Sequence, residues 1–436
     1  MLGMSKFKKR DGGNVVIEHY LGDLESIAKS VGFIERESEH FSAEGFLRSL
    51  FRSLEDGKAS LRKLASRMAT INNNSLSKQA LWKRIKKDSC PDFLQAVLDK
   101  VNGQQTPENL SPRNSKCKRL IVQDSTQIRS HKKNHKHYAG TSNKSTRISC
   151  AKIDLTMNFL TNDILLIQES NGKEQDRTLG RNLLPLLEKG DMKIRDLGYS
   201  ALESFKYAEG IEALWMSRLH GQIKVWIEDG NTLESLLSTT LKSTLDIHVR
   251  ITAHGHTCRL VAVRCSKETV DRRRAKRKEK GDTKRRKRRS NGDLREQWSL
   301  YITNIPEEQL STHEVISFYE QRWAIEITFR ALKGASNMQK AMRSPTNKNH
   351  LQLILKAAQI LALLTSKVQA VVAAHHSIER CKLSIEKFMD WMLSCLSQLD
   401  SMNIAYPYRL RELSHEVRIK GKTLAQRRIG HLKCLG

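Results

Sequence analysis

The sequence predicts an α/β protein in which a mixed sheet is covered by helices, interrupted by a β-rich insertion and flanked by helical regions. Three observations lead to that class. After residue 116, short apolar runs first follow one another and then alternate with segments of helical period. Between 219 and 298 the pattern turns to strand-like runs. Before 115 and after 375 the apolar residues recur at helical spacing.

Charge and length bound the function. The 436 residues suggest roughly two to four domains. Lys and Arg number 76 against 47 Asp and Glu, a net charge of +29 that implies a polyanionic partner. Eight cysteines without a CxxC pair fit reduced thiols in a cytoplasmic chain. The segment MLGMSKFKKRDGG has no apolar signal region. The most apolar stretch, AAQILALLTSKVQAVVAA, is interrupted by Ser366, Lys367 and Gln369, so a buried helix is expected and no membrane span. Neither a P-loop nor GxGxxG occurs, so no nucleotide cofactor is expected.

Residues 1–115 are expected to form a helical DNA-binding domain. SLRKLASRMATINNNSLSKQALWKRIKK reads as two amphipathic helices joined by a polar turn, with Ser75 or Ser77 capping the second. Lys78, Lys83 and Arg84 decorate that second helix. Either it enters a major groove as part of a helix-turn-helix or it is a surface hairpin with solvated cations. GQQTPENLSPRNSK reads as a linker.

Residues 116–218 carry the first part of the sheet. KRLIVQD, RISCAKIDL, DILLIQES, MKIRDLGY and EALWMSRL are strand candidates, with LGRNLLPLLEKG and ALESFKYAEG helical. In the insertion, 219–298, IKVWIED, DIHVRITAHG and CRLVAVRC are strand-like. It ends in DRRRAKRKEKGDTKRRKRRS, where 13 of 20 residues are Lys or Arg. Such a block is expected to be mobile and solvated, contacting phosphates or only adding general affinity. His254, His256, Cys258 and Cys265 lack a matching ligand pair and read as incidental strand residues. WSLYITNIP is expected as an edge strand, opening the second part of the core over 299–375. Residues 376–436 read as helical, and LSIEKFMDWMLSCL offers an apolar face to a second chain.

Within FYEQRWAIEITFRALK, about 100° per residue brings Tyr319, Arg322, Glu326 and Lys333 within roughly 60° of one another on a helix. Phe318, Ile325, Phe329 and Leu332 form a second, apolar stripe. Arg322, Glu326 and Arg330 are also spaced for i,i+4 ion pairs on a solvated face. Asp124 closes the run KRLIVQD, and Asp196 closes MKIRD. Two strand-end acids and a helical Glu are hard oxygen donors suited to Mg²⁺ or Mn²⁺. Taken singly, each Asp is more often a turn or cap residue.

DST after one strand, DLGY after another, and Y-x2-R-x3-E-x6-K behind an insertion resemble the DDE transposases of bacterial insertion sequences, in particular the insertion-sequence-four type with its YREK signature. ITNIP, FYEQRWAIEITFRALK and HLQLILKAAQ resemble the late region of that family, and the likeness spans roughly residues 116–375. The resemblance implies a ribonuclease-H-like core, with Asp124, Asp196 and Glu326 as the catalytic triad binding two Mg²⁺ or Mn²⁺ ions. It also implies that Tyr319, Arg322 and Lys333, with Arg330 beside them, grip DNA near the cut. Trp298 stands where relatives with a hairpin step stack an aromatic ring on a flipped base, core packing being the other reading. The implied reaction is cut-and-paste transposition. Its partners are the terminal inverted repeats and target DNA, with two chains pairing two ends in the cytoplasm of a bacterium, at the nucleoid. An inactive DNA-binding relative and a metal-dependent nuclease without joining activity stay open.

Overall fold

A computed structural model describes residues 19–106, 116–141, 147–199, 201–219, 223–227, 230–251, 255–281, 294–334, 336–375, 380 and 383–397. The principal elements in chain order begin with helices α1 (Ala43–Asp56), α2 (Leu61–Ile71), α3 (Lys78–Ile85) and α4 (Ser89–Gly103). Strands β1 (Leu120–Arg129), β2 (Cys150–Asn158) and β3 (Asp163–Asn171) follow. Next come α5 (Asp176–Arg181), β4 (Met192–Arg195), α6 (Leu202–Gly210), β5 (Leu214–Arg218), β6 (Val225–Ile227), β7 (Thr244–Ile251) and β8 (His256–Arg264). The chain continues with α7 (Lys267–Gly281), β9 (Trp298–Thr303), α8 (Thr312–Glu320), α9 (Ala324–Gly334), α10 (Lys348–His375) and α11 (Ile385–Ser397). They belong to two compact units, Met1–Arg113 with Asp124–Glu174 and Trp323–Gly436, and Asn114–Gln123 with Gln175–Arg322.

In the first unit, side-chain caps set the helix starts. Ser42 accepts from the Gly45 amide at α1, and Ser77, one of the two expected caps, accepts from the Ala80 amide at α3. Strands β2 and β3 pair antiparallel, in the order β3-β2-β1. Helix α10 packs on α1, α4, α11 and β3. By length and composition it could cross a membrane, yet 83% of its apolar window is buried within the protein, as expected of a core helix. Arg380 is fully buried and pairs with Asp163 at the start of β3 and with the Ser366 carbonyl of α10.

The second unit holds the order β1-β4-β5-β9-β8-β7-β6. β1, β4 and β5 run parallel, and the strands from β5 through β9, β8 and β7 to β6 pair antiparallel. A mixed sheet with a parallel centre and flanking helices is the expected α/β class. One apolar cluster unites Trp215, Leu260, Trp298 and Ile302, with the Phe205 ring stacked on Trp215 at 3.9 Å.

Several expectations are corrected here. β9 is not an edge strand: it ladders with β5 on one side and β8 on the other, so the insertion extends the unit's own sheet. The helix expected over LGRNLLPLLEKG ends at Arg181 and resumes only as a 3₁₀ turn, Leu184–Leu186, because Pro185 brings no N–H. The arginine-rich block begins as a helix, α7, held by Arg273 donating to the Glu296 and Trp298 carbonyls at 2.9 and 3.0 Å. Residues 282–290 of that block, and His254, lie outside the described residues.

The apolar face of α11 does not await a second chain. Phe388, Met389, Met392 and Leu393 are buried where α11 packs on α1, α9 and α10. Phe388→Ala should therefore lower the unfolding free energy by about 3–5 kcal/mol in denaturant titrations. A face reserved for a partner would leave a monomeric sample unchanged.

Candidate active site

The first unit supplies an acid from a strand and an acid from a helix. Asp124 does not end its strand, as expected, but sits mid-way along it. The ladder to β4 stops at the pair Gln123–Arg195, while β1 continues beside β2 to Arg129. Asp124 Oδ1 accepts from the Ser125 amide at 2.8 Å, which orients the carboxylate. Asp124, Ser125 and Thr126 line an open cavity of about 520 Å³ together with Glu326, Phe329, Arg330, Lys333, Gly334 and Gln339. Spacings of four and three residues put Glu326, Arg330 and Lys333 on one flank of α9. Ile325, Phe329 and Leu332 are buried on the neighbouring flank, as the apolar stripe requires. Burial holds the Lys333 ammonium below the usual lysine value, with the nearby Cys150 thiol acting in the opposite direction.

Oxygen donors from two carboxylates facing one cavity fit a hard divalent cation. Among the described residues no group of three or more His, Cys, Asp or Glu side chains is gathered for a metal.

Tyr319 and Arg322 belong to the second unit, and the single helix expected over this signature is broken. α8 starts at a capping box between Ser311 and Glu314 and ends at Glu320. At Gln321 the side-chain amide donates to the Ser317 carbonyl at 3.1 Å, while the main-chain N–H turns to Phe318. The ladder tightens into a 3₁₀ turn, Gln321–Trp323, before α9 begins. Equal angular steps from Tyr319 to Lys333 therefore do not apply.

Tyr319 is only 6% exposed. Its hydroxyl donates to the Arg195 carbonyl at 3.3 Å, and its ring lies 5.0 Å from that of Tyr301. Burial first, and the charge of Asp196 next, push the phenol up, so it remains a proton donor across the physiological range. Asp196 follows Arg195 directly, and the Tyr199 amide donates to its carbonyl at 3.1 Å to close the turn. Arg322 is half-buried.

Other expected contacts divide as follows. Trp298 is 2% exposed within the apolar cluster, with the Arg264 guanidinium 4.8 Å over its ring, so it packs in the core here. Lys78 and Lys83 are exposed on α3, whereas Arg84 lies 4.3 Å over the Phe41 ring. His256 Nε2 lies 3.3 Å from Glu209, and Cys258 is buried. Sequence reasoning missed Trp323, 45% exposed in the 3₁₀ turn, and Gln339 of the cavity. The signal for Trp323 was its place directly after the polar run Glu320, Gln321 and Arg322.

Residues 115–362 match the family described as the Transposase DDE domain. The chain belongs to that family. The resemblance read from DST, DLGY and the YREK spacing is borne out. This transposase is 26% identical over 338 residues to the transposase for insertion sequence element IS231B of Bacillus thuringiensis subsp. berliner, covering 71% of this chain and 70% of the relative. It is 24% identical over 337 residues to the transposase for IS1151 of Clostridium perfringens, covering 72% and 71%. A cryo-EM structure of the piggyBac transposase synaptic complex with hairpin DNA aligns over 94% of this chain and 86% of its own, at a TM-score of 0.49 and 10% identity.

The partly buried amine of the transposase gives a direct test. In protein carrying ¹³C-methylated lysines, the Lys333 signal, assigned by its loss in Lys333→Arg, should titrate below the usual lysine value.

Proposed function

We propose that this transposase is a cut-and-paste enzyme that binds the inverted repeats at its element's ends and then cuts and joins DNA with two divalent cations. The supporting observation is the cavity that Asp124 and Glu326 share with Arg330 and Lys333. In this reading Asp124 and Glu326 offer carboxylate oxygens from two rigid elements, and Asp196 supplies the third. Such ligands would hold Mg²⁺ or Mn²⁺, which would supply activation of the attacking oxygen and charge neutralisation at the leaving one. Arg330 and Lys333 orient the scissile phosphate in the same cavity, and Arg322 adds a further cation to the DNA path.

The first nucleophile is water. Its oxygen bonds to phosphorus as the 3′ oxygen of the adjoining nucleotide leaves, giving a 3′-OH and a 5′-phosphate. That hydroxyl then attacks a phosphorus of the second strand or the target DNA, whose own 3′ oxygen leaves and takes up the proton, so no side chain forms a covalent intermediate. Helices α2 and α3 read the inverted repeats, with exposed Lys78 and Lys83 on phosphates. Two chains pair two ends in the bacterial cytoplasm, at the nucleoid, through a surface other than the buried face of α11.

The protein should nick end DNA at the element boundary when Mg²⁺ is added and join pre-cut ends to a target. Asp124→Asn, Asp196→Asn and Glu326→Gln should each slow nicking by about three orders of magnitude, corresponding to roughly 4 kcal/mol of transition-state stabilisation, while end binding persists. Nicking without joining would identify a nuclease. End binding and pairing without nicking would identify an inactive relative.

A further inference from the structure

We infer that Gln79 is the base-reading residue of α3: its side-chain amide takes one adenine in the major groove of the terminal inverted repeat, with Ala80 beside it against a thymine methyl and the neighbouring lysines on phosphates. The inference rests on the reading of α2 and α3 as the part that binds the element's ends. All of its geometry lies within the first unit.

α3 is held by one face and presents the other. Ser77 caps its start, and Leu81 and Ile85 are buried where it packs on α2 and α4. At about 100° per residue, Gln79, Lys83 and Lys86 fall on the side roughly opposite those two, and all three are exposed, as is Ala80. Arg84 and Lys87 are drawn off this stripe, the first over the Phe41 ring at 4.3 Å and the second to Glu35 at 2.6 Å. The helix, KQALWKRI, carries no acid, so the presented face is matched to a polyanion. Arg62 and Lys63 are exposed in the first turn of α2, where the first helix of such a pair crosses the phosphate backbone. Eight residues at about 1.5 Å each give α3 a length of about 12 Å, enough to face three or four base pairs at about 3.4 Å apiece. In that docking the residues at the start of the helix reach the base edges. Lys78 offers donors alone, whereas the Gln79 amide sets a donor beside an acceptor, the complement of adenine N7 and N6. The Ala80 methyl lets the helix approach closely and is an apolar partner for the thymine C5-methyl group.

Gln79→Ala and Lys83→Gln alter exposed side chains, so both variants should fold. Each full-length protein is titrated, without divalent ions, with end DNA and with duplexes in which every A·T pair of the inverted repeat is replaced in turn by G·C. For the wild type, replacement of one such pair should weaken binding about tenfold through loss of the Gln79 contact. Gln79→Ala should bind the native end about tenfold more weakly and lose nothing further at that pair, while the losses at other pairs stay as in the wild type. Lys83→Gln should weaken binding to all the duplexes alike and reduce the salt slope by about one. A wild-type pattern of losses along the repeat in Gln79→Ala, whether its affinity is unchanged or uniformly lower, would overturn the base contact. If Lys78→Gln and Lys83→Gln alter neither affinity nor salt slope, α3 is not on the DNA and the reading of the ends by α2 and α3 falls, which is a distinguishable failure.

Discussion

The parallel ladder between Leu120–Gln123 and Met192–Arg195 is the constraint on which the proposed chemistry depends. Its register sets Gln123 opposite Arg195; the residue after Gln123 on β1 is Asp124, and the residue after the end of β4 is Asp196. Side chains alternate along a strand, so a slip of one residue would turn a whole set to the opposite face. What holds the register is burial: Leu120, Ile121, Val122, Met192 and Ile194 are almost wholly inside. At about 25 cal/mol per Å² of apolar surface, exposing even one of these side chains outweighs a ladder hydrogen bond.

The same strand carries an unusual load of buried charge. Lys193 and Arg195 alternate with the apolar residues and occupy one face of β4. Burial, and then the neighbouring Arg195, hold the Lys193 ammonium well below the ordinary lysine value. Its Nζ donates to the Ser204 carbonyl and hydroxyl at 2.9 and 2.7 Å, which offsets part of the desolvation cost. A pure hydrophobic strand would be cheaper to bury. Directional donors, however, lock α6 to β4 in a way that apolar contacts cannot, since each hydrogen bond has one preferred geometry. Rigid backing of this kind fixes the course of the chain where β4 ends.

Much of this was legible in the sequence because local pattern and burial agreed. The stripe Phe318, Ile325, Phe329 and Leu332 is buried as its spacing requires, and Asp124 shares a cavity with Glu326 and Lys333. What escaped depends on neighbours distant in sequence or on competition for one carbonyl. Nothing local in KRLIVQD says that β1 outlasts its partner β4, because strand length beyond the ladder is set by β2. WSLYITNIP reads the same on an edge as in the interior, and only pairing with both β5 and β8 decides. The 3₁₀ break turns on the Gln321 side chain taking the Ser317 carbonyl, a choice that helical periodicity does not encode. The apolar face of α11 was visible, but amphipathicity shows that a face must be covered and not by what.

Net charge was the broadest signal, and the structure shows why it cannot serve as a map. Arg259 is buried against Asp246 at 2.6 Å, Arg380 pairs with Asp163, and Arg84 and Arg264 lie over aromatic rings. Arg273 spends its donors on two carbonyls and a hydroxyl. These cations count toward +29 yet are already engaged inside the fold. Counterion release depends on phosphates neutralised, so a guanidinium held over a ring or in a buried pair adds little to a salt slope. Lys78, Lys83 and Arg330 are solvent-exposed and can still change partner. Arg330 alone among these three also lines the cavity with the two acids, so of the three it is the one whose charge bears on an anion bound there.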